Sequence, residues 1–434
     1  MTTNMIWARR QAGLSLIELM IAVLIAGLLI LGITSLFSNT SNLNRMENGL
    51  ARLQENGRFA MAMIQQDIKM ATATGSIRKT IGEPGRVDRD LALISTVDLA
   101  TRGNSHGLPG YYPGQPDRYY IPRSYMIRGH RCTTGVTCTP AVGAQVPPVG
   151  SEAGERAAGA DVLTVSYQRD LGVRVRRGTA MPLQEDGEKI LLDAPLEVGP
   201  SRLVILNDYQ TTIIVSVQET GSTSELTPFG NLSNAANGLS ALQGLQGERW
   251  AADFDSSFVT VTYYLGLVED ENEPGRLISS LFRDENGAAQ EVARGIERLD
   301  FVYHVEDAFG NVSIYTADAL DAAGAAFQCS KTSPEAVGLV AIDQPICQWR
   351  SVRAVDIHLL ANTVSDAGMR EEPFTYAFLP NGSLAPAGTV QMACDPAFGS
   401  CPADAVTELP SGLPPGRMLR REFRTTAVVR NAAF

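Results

Sequence analysis

Gly13-Leu14-Ser15-Leu16-Ile17-Glu18-Leu19-Met20 opens an apolar stretch that runs from Leu14 to Phe37 and carries one charge, Glu18. At 1.5 Å per residue the stretch is about 36 Å long as a helix, enough to cross a bilayer with some tilt. A carboxylate in such a span costs roughly 2.5–3.5 kcal/mol at the bilayer centre and less towards the interface, so it is usually kept for a purpose. Arg9 and Arg10 precede the span, and no Lys or Arg follows until Arg45. The positive-inside rule then places the N-terminus in the cytoplasm and the bulk of the chain outside. In an ordinary signal peptide the small-residue cleavage site follows the apolar core. Here the small residue, Gly13, comes first, so cleavage there leaves the apolar helix on the mature chain.

The helical pattern continues past the span. Leu43, Met46, Leu50, Leu53, Ala60, Ile64 and Ala71 recur at steps of three and four, with Gly57 on the same line. Phe59, Met63 and Ile68 widen the stripe, and Arg52, Glu55, Gln66 and Lys69 flank it. The spacing predicts one helix from Leu14 to about Thr72, roughly 88 Å long. Its first half is apolar all round, and its second half needs a sheet to lie on. Gly27 and Gly32 fit either close small-residue packing in the membrane or a segment softened for assembly.

Beyond Thr74 the pattern is mostly β. Expected strands are 91–97, 119–127, 161–168, 202–206, 211–217, 258–267, 275–282, 299–305, 352–360 and 419–429. Asp284-Glu285-Asn286-Gly287 reads as a hairpin turn. The segments 103–118, 131–160, 220–250 and 361–416 are polar and Gly/Pro-rich, and read as loops or insertions.

The chain has 434 residues and a net charge of −11, which argues against broad nucleic-acid binding. Cys132, Cys138, Cys329, Cys347, Cys394 and Cys401 all fall on the exported, oxidising side, where disulfides are the default. Six cysteines allow 15 connectivities. Nearest neighbours would give Cys132–Cys138, Cys329–Cys347 and Cys394–Cys401. The spacings do not suit zinc, and no metal or cofactor is expected. His106, His130, His304 and His358 are scattered, and no catalytic motif is present, so the chain does not read as an enzyme. His358 reads as a strand-face histidine. The acidic run Glu269-Asp270-Glu271-Asn272-Glu273 reads as a solvated hairpin end. The aromatics Tyr111, Tyr112, Tyr119 and Tyr120 read as loop packing. Arg417, Arg420, Arg421, Arg424 and Arg430 read as an exposed strand face.

The leader closely resembles that of type IV pilins and pseudopilins. That resemblance implies cleavage after Gly13 by a prepilin peptidase, N-methylation of Leu14, and an assembly role for Glu18 at the fifth mature position. In a helical stack, the Glu18 carboxylate and a neighbour's amino terminus would neutralise each other in an apolar setting. Three further regions resemble PilW-type minor pilins and occur in that family's order. These are Glu55-Asn56-Gly57-Arg58-Phe59-Ala60 with Gln66-Asp67-Ile68-Lys69; Thr262–Leu265, Leu281–Arg283 and Val292–Tyr303; and Val352–Leu360 with Arg420–Asn431.

The resemblance implies an α+β type IV pilin fold, with the long helix packed on an antiparallel sheet domain that carries long loop insertions. The expected divisions are a leader (1–13), a transmembrane assembly half-helix (14–37), an amphipathic half-helix (38–73) and a β-rich domain outside the membrane (74–434). It also implies an inner-membrane precursor, a place at the pilus tip, and a part in priming assembly. Its expected partners are other minor pilins, the major pilin, a large tip adhesin and the peptidase. A J-type pseudopilin of type II secretion and a tip receptor for DNA or a surface are the alternatives.

Overall fold

A computed structural model describes residues 16–73, 92–95, 119–122, 125–132, 137–176, 189–208, 212–228, 248–271, 273–307, 309–323, 327, 347–366, 395–398, 400–401, 403, 409 and 411–430. Helix α1 runs unbroken over Leu16–Met70, 55 residues. Residues 16–40 are exposed along its first half. Burial begins at Leu53 and continues through Gly57, Ala60, Met61, Ile64, Asp67 and Ile68. Leu43 and Phe59, expected on the stripe, are exposed, because the sheets cover the helix only from Leu53 and along a narrower face.

Eighteen strands are described: β1 (Ala92–Ser95), β2 (Tyr119–Pro122), β3 (Ile127–Cys132), β4 (Cys138–Thr139), β5 (Val162–Gln168), β6 (Val173–Arg174), β7 (Ile190–Val198), β8 (Leu203–Asn207), β9 (Thr212–Ser216), β10 (Gly221–Leu226), β11 (Trp250–Asp253), β12 (Phe258–Asp270), β13 (Glu273–Glu285), β14 (Ala288–Arg294), β15 (Ile296–Glu306), β16 (Val312–Tyr315), β17 (Val352–Asn362) and β18 (Arg420–Val428). Helix α1 lies on two antiparallel sheets, ordered β14-β13-β12-β5-β3-β4 and β16-β15-β17-β18. The expected strand over 119–127 is two separate strands, β2 and β3. Strands β4 and β10, Trp250 of β11 and the last two residues of β17 fall in segments expected to be loops, and the rest of β11 together with β6, β7, β14 and β16 lies where no strand was expected.

Alternation explains the second sheet. Leu299, Phe301, Tyr303 and Val305 on β15 and Val355, Ile357, Leu359 and Ala361 on β17 join the core with Leu53, Ile64 and Ile68 of α1. The residues between them form the opposite face. There His358 is buried and contacts Glu422, the strand-face position expected for it. Asn286 and Gly287 both have positive φ and close the two-residue β13–β14 hairpin where the turn was expected.

Two residues join the sheets. Gly295, between β14 and β15, donates its N–H to Ser279 of β13 and accepts from Asn362 of β17. Its φ of +76° favours glycine, and an added Cβ would lie 2.6 Å from Asn362 Oδ1. Asp161 donates its N–H to Leu299 of β15. Its carboxyl accepts the N–H of Phe301 at 3.2 Å and of Cys132 at 3.1 Å. Burial, reinforced by the charge of Asp300, pushes the Asp161 carboxyl well above the usual range.

Strands β6 to β11 form a lobe inserted between β5 and β12, which are themselves paired neighbours, and β1, paired with β2, adds to the lobe's sheet in parallel with β9. The lobe has its own core, including Ile190, Leu192, Val204, Leu206, Ile213 and Val215. A smaller cluster of Met126, Phe254 and Phe258 with Leu203, Ile205 and Ile214 seats it on the rest of the domain.

Cys132 and Cys138 form a disulfide across β3 and β4. Cys401 is also disulfide-bonded. The remaining pairing involves residues outside the description, as do Gly13, Leu14, His106, Tyr111 and Tyr112.

His130 on β3 is buried, with Nδ1 2.9 Å from the Pro140 carbonyl. Burial lowers its pKa to about 4, so the folded protein holds it neutral. An unfolded chain protonates its histidine near pH 6.5. The stability that comes from keeping this ring neutral is therefore complete above about pH 6.5 and is lost as pH falls towards 4. At pH 5 the loss is about 2 kcal/mol. We expect the thermal midpoint of the detergent-solubilised protein to fall between pH 7 and pH 5, and His130→Gln to flatten that fall. Equal slopes in the two proteins would reject the assignment.

Candidate functional site: the assembly helix and its seat

Along the first 22 residues of α1, Leu16 to Phe37, all side chains are exposed. At 1.5 Å per residue this segment is about 33 Å long, close to the hydrocarbon thickness of a bilayer. None of its most apolar stretch is buried in the protein. Surface of this kind needs lipid or another apolar helix around it. Glu18 stands in the first turn, among Leu16, Ile17, Leu19 and Met20. The structure therefore places Glu18 at the start of the exposed apolar rod, far along the helix from the sheet domain.

The second half of α1 is held by specific contacts. Asp67 falls three residues after Ile64, on the buried face, where a carboxylate needs partners. It has four. Oδ1 accepts from the Tyr167 hydroxyl of β5 at 2.7 Å, and Oδ2 from the Tyr263 hydroxyl of β12 at 2.5 Å. Arg283 of β13 donates from Nε to Oδ2 at 2.8 Å and from Nη2 to Oδ1 at 3.4 Å. Arg283 continues to Glu285 at 2.5 Å, and Glu285 to Arg169 at 2.6 Å. Charges alternate along this row, so each is paired. Burial, then the Asp67 charge, pushes Tyr167 up to about 12 and Tyr263 well above the phenol range. Both hydroxyls therefore remain donors to the carboxylate.

Packing and polar contacts fix the rest of the helix. A Cβ on Gly57 would lie 2.3–2.7 Å from ring carbons of Phe423, so β18 approaches α1 where only glycine fits. Asn56 donates to the Arg294 carbonyl at 3.2 Å, and Gln65 to Thr425 Oγ1 at 2.6 Å. Thr72, at φ 63°, ends the helix. Its N–H donates to Ser166, and Gln168 donates to the Ala73 carbonyl, so the chain leaves α1 hydrogen-bonded to β5.

Sequence reasoning found Glu18 and the stripe but gave Asp67 and Arg283 no role. The available signal was a carboxylate in register with Leu53, Ala60 and Ile64. It was also wrong about Arg420, whose side chain is 2% exposed and pairs with Glu297 at 2.7 Å. Arg421, Arg424 and Arg430 are exposed as expected.

A long helix, bare and apolar at its start and seated on antiparallel sheets at its end, defines the pilin class of proteins. The leader fits that class: residues 8–34 match the prokaryotic N-terminal methylation motif. Residues 262–431 match the family model of type IV pilus-assembly protein W. Together the two matches support a type IV pilus-related pilin with a PilW-like C-terminal region. The match spans β13 to β18 and most of β12, including Arg283, Gly295 and Phe423, and leaves out the inserted lobe. No curated protein and no solved structure matches the chain. The prepilin-type motif ahead of the apolar span points to anchoring in the inner membrane, and the family implies other pilins and the prepilin peptidase as partners.

Removing one member of a buried ion pair costs about 3–5 kcal/mol, because the other is left uncompensated. Asp67→Ala should cost that much, read as a lower thermal midpoint of the full-length protein in detergent. Asp67→Ala combined with Arg283→Met should cost less than the sum of the two single changes. Additive losses would show that the pair is not coupled.

Proposed function

We propose that this chain is a structural minor pilin that primes type IV pilus assembly and sits at the filament tip. The observation that carries this reading is the exposed apolar rod Leu16–Phe37, with its single carboxylate, on a helix rigidly seated in a large sheet domain. Prepilin peptidase cuts after Gly13 and methylates Leu14. Residues 14–37 hold the precursor in the inner membrane and later pack against other pilin helices. Residues 38–73 join this segment to the domain of residues 74–434, which lies outside the membrane. Glu18 pairs with a neighbouring subunit's amino terminus, which sets the axial step between subunits. The inserted lobe adds bulk that suits a tip better than a repeating shaft. A tip subunit meets sibling minor pilins, the major pilin and a tip adhesin. Its work is structural, not catalytic.

Gly13→Leu should leave an uncleaved precursor, detected by intact mass, and normal processing would refute the cleavage assignment. Glu18→Ala should be processed but assemble poorly, and undiminished piliation would count against the pairing role.

The deciding experiment is a clean deletion in the source bacterium, repeated in a strain without the pilus-retraction motor. Pili that disappear, and partly return without the motor, support priming. Intact pili with lost protein secretion would make this a J-type pseudopilin of type II secretion. Intact pili and secretion with weakened adhesion or DNA uptake would favour a tip receptor.

A further inference from the structure

Strand β18 ends its sheet, and among the described residues no strand lies along its outer edge. The direction of its backbone groups follows from one bond. The Val429 N–H donates to Arg353 at the base of β17. Backbone groups alternate along a strand, so Ala427, Thr425, Phe423 and Arg421 also face β17. Those of Val428, Thr426, Arg424 and Glu422 face outwards. The Thr426 carbonyl fits this alternation, because it accepts from Gln65 of α1 at 3.3 Å. The outer edge of β18 therefore runs beside the assembly helix.

Long exposed edges recruit other strands unless charge or covering prevents it. Arginine predominates here. Residues 417–430 hold five arginines and one glutamate in a chain of net charge −11. Arg421 stacks over Phe423 on the α1 side, and Arg424, 62% exposed, stands on the other side. Val428, 58% exposed, adds an apolar contact. Arginines on both sides of an edge repel a second copy of that edge and attract an acidic strand. Nucleic acid fits less well, since the edge presents main-chain groups at the spacing of a strand's ladder.

We propose that the outer edge of β18 accepts an extended acidic segment of a neighbouring pilus subunit, which adds a strand to the sheet beside α1. Main-chain bonds to Glu422, Arg424 and Val428 hold the segment, and Arg421 and Arg424 select its charge. This rests on the reading of the chain as a pilus subunit.

The test places a photo-crosslinking amino acid at Val428 of the full-length protein in the source bacterium, with the joined peptide sequenced by mass spectrometry. An acidic segment of another pilus protein is the expected product. Arg424→Pro removes an outward N–H without touching the ladder to β17, and should cut the yield at least tenfold. Arg421→Glu with Arg424→Glu should do the same while keeping every backbone donor. Thermal midpoints close to the parent's certify that both variants fold. Crosslinks to a neighbour's helix, to DNA or to nothing, or a yield that both variants leave unchanged, would overturn the proposal. If the deletion strain still loses its pili in that case, the minor-pilin reading stands and only the docking edge fails.

Discussion

The seat of helix α1 depends first on the buried carboxylate of Asp67. An apolar stripe alone lets a helix slide or rotate against a sheet at modest cost, because burial is non-directional. A buried charge with two hydroxyls and a guanidinium around it does not. A shift of one residue turns the side chain by about 100° and strands the carboxylate against apolar atoms. The three donors come from β5, β12 and β13, so one side chain of α1 reads the alignment of three strands. Gly57 adds a second fixed point ten residues earlier, where the Phe423 ring leaves no space for a side chain. Together these contacts set the rotation and height of the helix, and hence the direction in which its free half leaves the domain.

The free half meets a different requirement. Leu16 to Phe37 gains nothing from the protein's own core and must be solvated by lipid or by neighbouring helices. Its packing energy is therefore available to assembly, while the seated half supplies the stability of the subunit. A carboxylate at Glu18 is tolerable near the membrane surface and becomes costly once helices close around it. That cost favours arrangements that bring a positive group to it.

How much could be read from the chain follows from how each element is buried. Helix α1 was legible because its periods are long and uninterrupted. Strands β12, β15 and β17 were legible because they carry runs of aromatic and β-branched residues with one face in the core. Strand β14 was not, because four of its seven residues are exposed and it is held mainly by the hairpin with β13. Strands β6 and β11 are two and four residues long, below the length at which alternation can be recognised. Asp67 was visible as a residue but not as a site, since its donors lie 100, 196 and 216 positions away. Arg420 was misread for the same reason: its partner Glu297 is 123 positions distant, and sequence alone weighed the arginine as a surface charge.

The inserted lobe illustrates why such a subunit can carry so much extra mass. Its entry and exit are neighbours, because Gln168 at the end of β5 is paired with Phe258 at the start of β12. A segment that leaves and returns at adjacent points adds little closure cost, which grows only slowly with loop length. The lobe buries its own apolar residues in a separate core, so it does not draw on the cluster under α1. Its ties to the rest of the described domain include the cluster of Met126, Phe254, Phe258 and the strand residues facing them, and the pairing of β9 with β1. Variation in the lobe is thereby isolated from Asp67 and Gly57. The helix seat and the lobe therefore rest on separate apolar cores.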